Sequence, residues 1–187
     1  MPDALSYGAD GGNVNLKHLG TFLEEIKNEG MNIHFGIFPS EVSPGSLARC
    51  PDAALTLKKY ITNRKIVIGG QSASGRVLKI MNRDHTHQDI LSSIKILRET
   101  GFTPVVDILF GVPGENAEDR LETVKFMEYT SVKFRAGFNI HYFLPLPGTP
   151  LYGKQSEPVE PAVKEKIYAL MKNGHARGDF FKQLGYS

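Results

Sequence analysis

The chain has 187 residues, which is enough for one ordinary domain with a sizeable core. Hydrophobic residues make up 41% and charged residues 22% of it, and a net charge of +2 is too small to indicate a partner such as nucleic acid or an anionic membrane. The single cysteine, Cys50, excludes an internal disulfide, so a reducing, cytoplasmic setting is expected.

Two strand–helix units are predicted in the first third of the chain. The opening PDALSYGADGG predicts a short strand that ends at Asp10, and an apolar stripe from Leu16 to Ile26 predicts the helix after it. The segment NIHFGIFP predicts a second strand, which ends at Ser40 and Glu41, and the next helix is expected over 51–61. Polar residues therefore follow each of the first two predicted strands.

The run IVIGGQSASGRVLKIMNR, over 66–83, predicts a strand buried on both faces, a turn of small residues and a helix that begins at Gly75. Nucleotide-like ligands bind in α/β proteins where a buried strand passes into a helix in this way. The glycines allow backbone to approach a ligand, and the hydroxyls and the helix N–H groups supply donors. A plain connection that binds nothing is the alternative for this segment, because its spacing matches neither G-x-G-x-x-G nor a P-loop.

The second half repeats the strand–helix pattern. Thr86 and Asp89 predict the N-terminal cap of a helix that Gly101 closes. The strand PVVDILFG ends in the turn GVPGE, and a further strand over 136–144 ends in PLPGTP before a helix over 163–172. Five such units predict an α/β fold, namely a partial (β/α) barrel like a TIM barrel, with about five parallel strands and outer helices. The strand exits would then share one face.

Three of these exits resemble motifs of the radical S-adenosylmethionine (radical SAM) superfamily. IGGQSASGRVLKIMNRDHT resembles G-x-[EQ]-S-x-S-x-x-V-L-x-x-[MI]-x-R-x-x-[ST], and VDILFGVPGENAEDRLETVKFM resembles D-x-[IL]-x-G-[FLV]-P-G-E-x-x-x-[DE]. FLPLPGTPLY resembles P-x-P-G-T-P. The segments ALSYGADGG and FGIFPSEV are similar to the subgroup that also carries a cobalamin-binding domain. The resemblance implies a partial barrel that binds S-adenosylmethionine and a [4Fe–4S] cluster, possibly with cobalamin.

The chain departs from that family in its cysteines. Family members hold the cluster with C-x-x-x-C-x-x-C, and this chain has only Cys50. We therefore expect no metal ligands here, and we interpret 1–152 as a partial radical SAM barrel lacking its first unit and 153–187 as a C-terminal helical extension. The chain would be the C-terminal part of an iron–sulfur enzyme of the oxidoreductase type, inactive alone. Its expected partner is the missing N-terminal segment or another chain at the first strand edge.

The resemblance implies cofactor contacts at successive strand exits. The ten residues are Asp10, Ser40, Glu41, Gln71, Ser72, Ser74, Arg83, Gly111, Val112 and Pro113. Gln71, Ser72 and Ser74 would approach the ribose and methionyl part of S-adenosylmethionine, and the turn at 111–113 would pack against adenine. Ser72 or Ser74 could instead cap the next helix, and Arg83 could equally be a solvated cation. No catalytic residue is predicted.

Three functions stay open at this point. The first is a contribution of S-adenosylmethionine and substrate contacts to radical chemistry such as methyl or methylthio transfer. The second is a non-catalytic half-barrel that binds a nucleotide-like ligand or a partner protein. The third is an ordinary (β/α) enzyme that uses Asp107 or Glu41 as acid or base, for which the sequence offers no second convergent residue. His85 and His87 form an H-x-H pair without a third metal ligand.

Overall fold

The computed structural model describes residues 3–9, 13–37 and 40–185. Within them lie a 3₁₀ turn at Ala4–Ser6, eight α-helices and four strands. In chain order these are α1 Leu16–Asn28, α2 Pro44–Arg49, α3 Asp52–Tyr60, β1 Lys65–Gln71, α4 Gly75–Ile80, α5 His87–Glu99, β2 Thr103–Phe110, α6 Ala117–Phe134, β3 Gly137–Tyr142, α7 Pro161–Lys172, β4 Ala176–Arg177 and α8 Phe180–Gln183.

The strands form one parallel sheet in the order β1-β2-β3-β4, which confirms the predicted α/β class. Helices intervene between consecutive strands, as parallel crossovers require. The predicted strands at 66–68, 104–111 and 136–144 form as β1, β2 and β3, and β1 continues through the glycines to Gln71. Strand β4 was not predicted, since two residues carry no periodic pattern. It pairs with β3 in the register Phe138 to Ala176 and Asn139 to Arg177.

The chain forms two compact units. The first comprises the chain up to Gly70 together with Asp84–Val105, and the second comprises Gln71–Arg83 and the chain from Val106 onward. In the first unit α1 packs against α3, and α2 packs against α5. In the second unit α6 packs against α7, and β4 packs against both β3 and α7. The predicted domain boundary at residue 152 stays a prediction.

The predicted first strand is wrong for the part that the structure describes, because Ala4–Ser6 is a 3₁₀ turn. Asp3 caps this turn: its Oδ1 accepts the Leu5 N–H at 3.1 Å, and its carbonyl accepts the Ser6 N–H at 3.0 Å. An aspartate before a short segment favours such a local turn over an extended strand. Asp10, the predicted end of that strand, lies outside the described residues.

The described part of the predicted second strand, 32–37, runs beside β1 without becoming a regular strand, and Phe38 and Pro39 lie outside the described residues. The Val67 N–H donates to the Gly36 carbonyl at 2.7 Å, and the Val42 N–H donates to the Val67 carbonyl at 2.9 Å. Between these bonds Gly36 takes a left-handed φ of +62°, which interrupts the extended backbone. Among the described residues this region forms two isolated bridges, a parallel one between Val42 and Ile68 and an antiparallel one between Ile37 and Ser40.

Candidate functional site

The exit of β1 presents Gln71 in an unusual conformation. Gln71 is the last residue of β1, its φ is +67°, and the residue is only 9% exposed. Non-glycine residues rarely adopt a left-handed φ, and strain of this kind occurs often at ligand sites. Among the described residues the Gln71 amide makes no hydrogen bond. Among the predicted site residues of this turn, Gln71 is therefore the one whose side-chain amide is available for a ligand.

Ser72 faces into the protein. It is fully buried, and its Oγ lies 3.1 Å from Thr123 Oγ1. The same threonine oxygen accepts the Ala73 N–H at 3.2 Å, and Ser72 Oγ accepts the Ser74 N–H at 3.1 Å. The hydroxyls of Ser72 and Thr123 thus satisfy the backbone of the turn and join it to α6. The predicted ligand contact of Ser72 stays a prediction.

Ser74 has the capping role that was its alternative. Its Oγ accepts the Val77 N–H at 3.4 Å at the start of α4 and donates to Asp119 Oδ1 at 2.6 Å. Arg76 pairs with the same carboxylate. Burial acts to raise the pKa of Asp119, but the hydrogen bonds from Arg76 and Ser74 hold that pKa below its ordinary value. Asp119 therefore stays ionised and holds α4 to α6.

The turn at 111–114 is held by hydrogen bonds from both sides. The Gly111 N–H donates to Glu115 Oε2 at 2.6 Å, and the Gly111 carbonyl accepts the Glu157 N–H at 2.9 Å. The Gly114 N–H donates to Glu157 Oε1 at 3.0 Å. Gly111 has a φ of +79°, and a Cβ there would lie 2.3 Å from the Tyr142 ring, so only glycine fits. The backbone of the predicted adenine turn is thus preorganised.

A buried ion network supports that turn. Arg120 Nη1 lies 3.3 Å from Glu115 Oε2, and its Nη2 and Nε donate to Glu160 at 2.7 and 2.8 Å. Burial raises the pKa of Glu115 to about 7, although the Gly111 N–H and Arg120 act in the opposite direction. The other oxygen, Glu115 Oε1, is buried without a hydrogen bond among the described residues. The carboxyl at the base of the turn therefore titrates near neutral pH.

An apolar cluster joins the two turns of the second unit. Val77 of α4 packs with Val112 and Phe143, and partly buried side chains surround them, including Ile80 and Leu151. The exits of β1 and β2 are therefore brought together through α4. Pro113 follows Val112 in the same turn and is half-buried. The predicted contacts of Gly111, Val112 and Pro113 with a ligand stay predictions, but these residues do lie in one preorganised element.

The other predicted site residues lie apart from these turns in the chain. Ser40 and Glu41 belong to the first unit, where Ser40 is exposed and its N–H donates to the Ile37 carbonyl at 2.7 Å. Glu41 is half-buried. Arg83 is half-buried just beyond α4, and its N–H donates to the Leu78 carbonyl at 2.9 Å. The contacts of all three residues with a cofactor stay predictions, as does that of Asp10.

The described residues do not fit an iron–sulfur cluster. No group of three or more histidine, cysteine, aspartate or glutamate side chains is arranged there to hold a metal ion. Cys50 is the C-cap of α2, and its N–H donates to the Ser46 carbonyl. His85 is buried and its Nε2 lies 3.2 Å from the Gly70 carbonyl, which gives it a structural contact. No helix among the described residues is long and apolar enough to cross a membrane.

The sequence does not single out the residues of α6 that hold both turns. Thr123 and Asp119 of α6 contact Ser72 and Ser74, which lie 51 and 45 positions earlier. Arg120 of the same helix contacts Glu160, which lies 40 positions later. One signal was readable. Asn116 and Asp119 have capping-box spacing, and the structure shows both reciprocal hydrogen bonds. That signal marks the start of α6 but does not reveal the contacts with Ser72 and Ser74.

The fold and these turns define an α/β protein with a hydrogen-bonded, preorganised turn at the carboxyl end of a parallel strand. The model of the Radical SAM superfamily matches residues 9–127, which is more than half of the chain, and the chain belongs to this superfamily. The resemblance to this superfamily is thereby confirmed, and the first two of the three motifs lie within the matched residues.

Named relatives agree with that assignment. The chain is 31% identical over 185 residues to threonylcarbamoyladenosine tRNA methylthiotransferase of Homo sapiens, covering 98% of this chain and 31% of that protein. It is 32% identical over 170 residues to tRNA-2-methylthio-N(6)-dimethylallyladenosine synthase of Pelotomaculum thermopropionicum, covering 89% of this chain and 36% of that protein. The chain thus spans about a third of the length of these relatives.

A solved structure shares the fold. The radical S-adenosylmethionine methyltransferase TsrM from Kitasatospora setae, with cobalamin and a [4Fe–4S] cluster bound, superimposes with a TM-score of 0.56 at 18% identity. The match covers 81% of this chain and 28% of TsrM. At this identity the likeness concerns the fold, and it is consistent with the predicted partial barrel.

Proposed function

We propose that this chain supplies the S-adenosylmethionine-binding and substrate-binding part of a radical SAM methylthiotransferase. The observation that carries the proposal is the similarity to a tRNA methylthiotransferase along 98% of the chain. The relatives' names describe methylthio transfer to an adenosine of tRNA, and we extend that substrate class to the enzyme in which this chain works. Membership in the superfamily implies S-adenosylmethionine and a [4Fe–4S] cluster in that enzyme.

The chain's own residues support the adenosyl half of this role. Gln71 offers an amide at the exit of β1, and the Gly111 turn offers preorganised backbone close to Val112. Amide and backbone groups suit ribose hydroxyls and an adenine ring, because they form hydrogen bonds without adding charge. At the start of α4 a Cβ on Gly75 would meet nothing within 4 Å, so a ligand has room to approach the backbone there.

The cluster-binding cysteines belong, in this proposal, to another segment or to a partner polypeptide, because the residues of this chain do not fit the cluster. We propose that this partner docks at the sheet edge next to β1, beside the described segments at 33–37 and 40–42. The purified chain should then show no radical chemistry. Cobalamin is not part of the proposal, since it is bound in TsrM and that likeness concerns only the fold.

Calorimetric titration of the purified chain with S-adenosylmethionine tests the proposed binding of this cofactor. Weak binding is expected, and Gln71→Asn should weaken it further by about tenfold, because asparagine tolerates the left-handed backbone but withdraws the amide by one carbon. Gln155→Asn, on an exposed glutamine of the same unit, is the matched control and should bind like the unchanged chain.

Anaerobic iron–sulfur reconstitution followed by a visible spectrum tests the proposal that the cluster is bound outside this chain. The chain alone should show no cluster absorption, and a mixture with a polypeptide that carries C-x-x-x-C-x-x-C should show it. Nanomolar S-adenosylmethionine affinity or turnover by the chain alone would refute the proposal that the cluster is held by another segment or polypeptide. No S-adenosylmethionine binding at all would favour the non-catalytic half-barrel.

A further inference from the structure

The strands of the second unit have two different faces. On β3, Phe138 and Ile140 are 1% and 0% exposed, whereas Asn139 and His141, which point to the opposite face, are half-buried. Asp107 of β2 lies on that opposite face too, since it contacts Asn139. One face therefore belongs to the apolar core, and the other carries polar side chains within strands that are otherwise apolar.

Asp107 and Asn139 form a hydrogen-bonded row across adjacent strands together with Arg177 of β4. Asn139 Nδ2 donates to Asp107 Oδ1 at 2.6 Å, and Arg177 Nε donates to Asn139 Oδ1 at 2.9 Å. The row thus passes from a carboxylate on β2, through an amide on β3, to a guanidinium on β4. We call Asp107, Asn139 and Arg177 the polar row.

The backbone places Arg177 at the end of this row. Arg177 pairs with Asn139 in the register of β3 and β4. The next residue, Gly178, has a φ of +127°, and a Cβ there would lie 2.3 Å from the Ile140 carbonyl oxygen. Only glycine allows this close approach of the two chains. The close approach of the two chains at Gly178 therefore places the Arg177 guanidinium opposite the Asn139 amide.

The polar row is buried at one end, which we call its closed end, and exposed to solvent at the other, which we call its open end. Asp107 is 7% exposed, whereas Arg177 is exposed, and within the described residues only its Nε is hydrogen-bonded. His141 lies on the same face two residues after Asn139, roughly 7 Å along the strand. Its ring has no hydrogen bond among the described residues. The row therefore ends in a guanidinium whose two Nη groups have no hydrogen bond within the described residues.

An arginine held through Nε presents both Nη groups as a planar fork. Such a fork suits the oxygens of a phosphate, and anchoring reduces the side-chain entropy that binding would otherwise cost. The imidazole of His141 adds a second polar group on the same face. Asp107 lies four residues before Gly111, which directly follows β2, and this is roughly 13 Å along the chain. The closed end of the row is thus separated along the chain from the proposed adenosyl turn.

We propose that the open end of the polar row binds a phosphate group of the substrate nucleotide, with Arg177 as the principal contact and His141 beside it. The identity of this ligand as part of a nucleic-acid substrate rests on the proposed function. The site itself rests on the row, on Gly178 and on the open guanidinium. Asn139 and Asp107 are positioning residues, which act through Arg177.

The test is a nuclear magnetic resonance titration of the full chain with adenosine 5′-monophosphate and, separately, with adenosine. The monophosphate should shift the Arg177 Nε–H, the Asn139 side-chain amide and the His141 ring signals, and adenosine should not. Arg177→Gln should weaken monophosphate binding at least about tenfold, because it removes a charged donor pair. Arg177→Lys, which keeps the charge and loses the fork, should weaken it less.

Arg135→Gln is the matched control, because it removes another exposed guanidinium of the same unit and should leave the affinity unchanged. Equal responses to adenosine and the monophosphate, no response of the row, or unweakened binding by Arg177→Gln would each overturn the inference. The titration with S-adenosylmethionine is independent of it. A chain that binds the monophosphate but not S-adenosylmethionine would keep this site and refute the adenosyl role, and the reverse result would do the opposite.

Discussion

Replacing Glu115 with glutamine is expected to flatten the pH dependence of the chain's free energy of unfolding. Burial raises the pKa of Glu115 from its ordinary value of 4.5 to about 7 in the folded chain. Between these two pH values the folded chain holds a proton that the unfolded chain has released. Raising the pH through this window therefore favours unfolding. Ionisation of Glu115 lowers the free energy of unfolding by its full amount above about pH 7 and does not lower it below about pH 4.5.

The magnitude follows from the two pKa values. Each unit between them is worth about 1.4 kcal/mol, so ionisation of Glu115 should cost the folded chain roughly 3 kcal/mol across the window. The side chain is fully buried, so solvent does not screen this cost. A cost of this size is a large fraction of the stability of an ordinary domain, which is about 5 to 15 kcal/mol. Glutamine keeps the shape and an acceptor for the Gly111 N–H but does not titrate.

The assay is urea unfolding at a series of pH values, followed by far-ultraviolet circular dichroism because the chain has no tryptophan. The unfolding free energy of the unchanged chain should fall relative to that of Glu115→Gln as the pH rises from 4.5 to 7. Glu128→Gln removes a carboxylate that is 42% exposed and paired with Lys166, and it reports the background slope. Parallel pH profiles for the Glu115 variant and the unchanged chain would refute the reasoning.

Two further changes test the backbone and the caps. Gly178→Ala should destabilise the chain by more than about 2 kcal/mol, because its Cβ meets the Ile140 carbonyl, whereas Gly174→Ala, with nothing within 4 Å, should cost only about 1 kcal/mol of left-handed strain. Equal losses in urea unfolding would contradict this contact. Ser74→Ala should cost about 1 to 3 kcal/mol, since it removes a helix cap and a hydrogen bond to Asp119; an unchanged unfolding midpoint would count against both bonds.

Local sequence accounts for most of the elements that position the site. The continuous apolar runs before Gly69 and Gly111 predict β1 and β2, and both form. The Thr86 and Asp89 signature predicts a capping box, and both of its hydrogen bonds are present. Helix α2 was missed although Ser43 and a following proline mark its start, and Ser43 does accept the Ser46 N–H. Local signals fail where backbone conformation is set from elsewhere, as at Gly36.

The site is only partly readable from sequence for the same reason. The motifs indicate which turns belong to it, but they do not show which side chains face inward. Ser72 and Gln71 are neighbours with similar polarity, yet Ser72 is bonded to Thr123 and Gln71 keeps an amide without a partner among the described residues. That difference depends on α6, which begins more than 40 residues later.

The sequence by itself determined the superfamily, the class of the fold and the places where β1 and β2 pass into turns, because periodicity, caps and motifs are local patterns. Tertiary structure alone decided the pairings across elements: Ser74 with Asp119, Arg120 with Glu160, and Asn139 between its neighbours in the polar row. These partners are 32 to 45 positions apart in the chain. No local pattern records such a separation, because only the packing of strands against helices brings the groups within bonding distance.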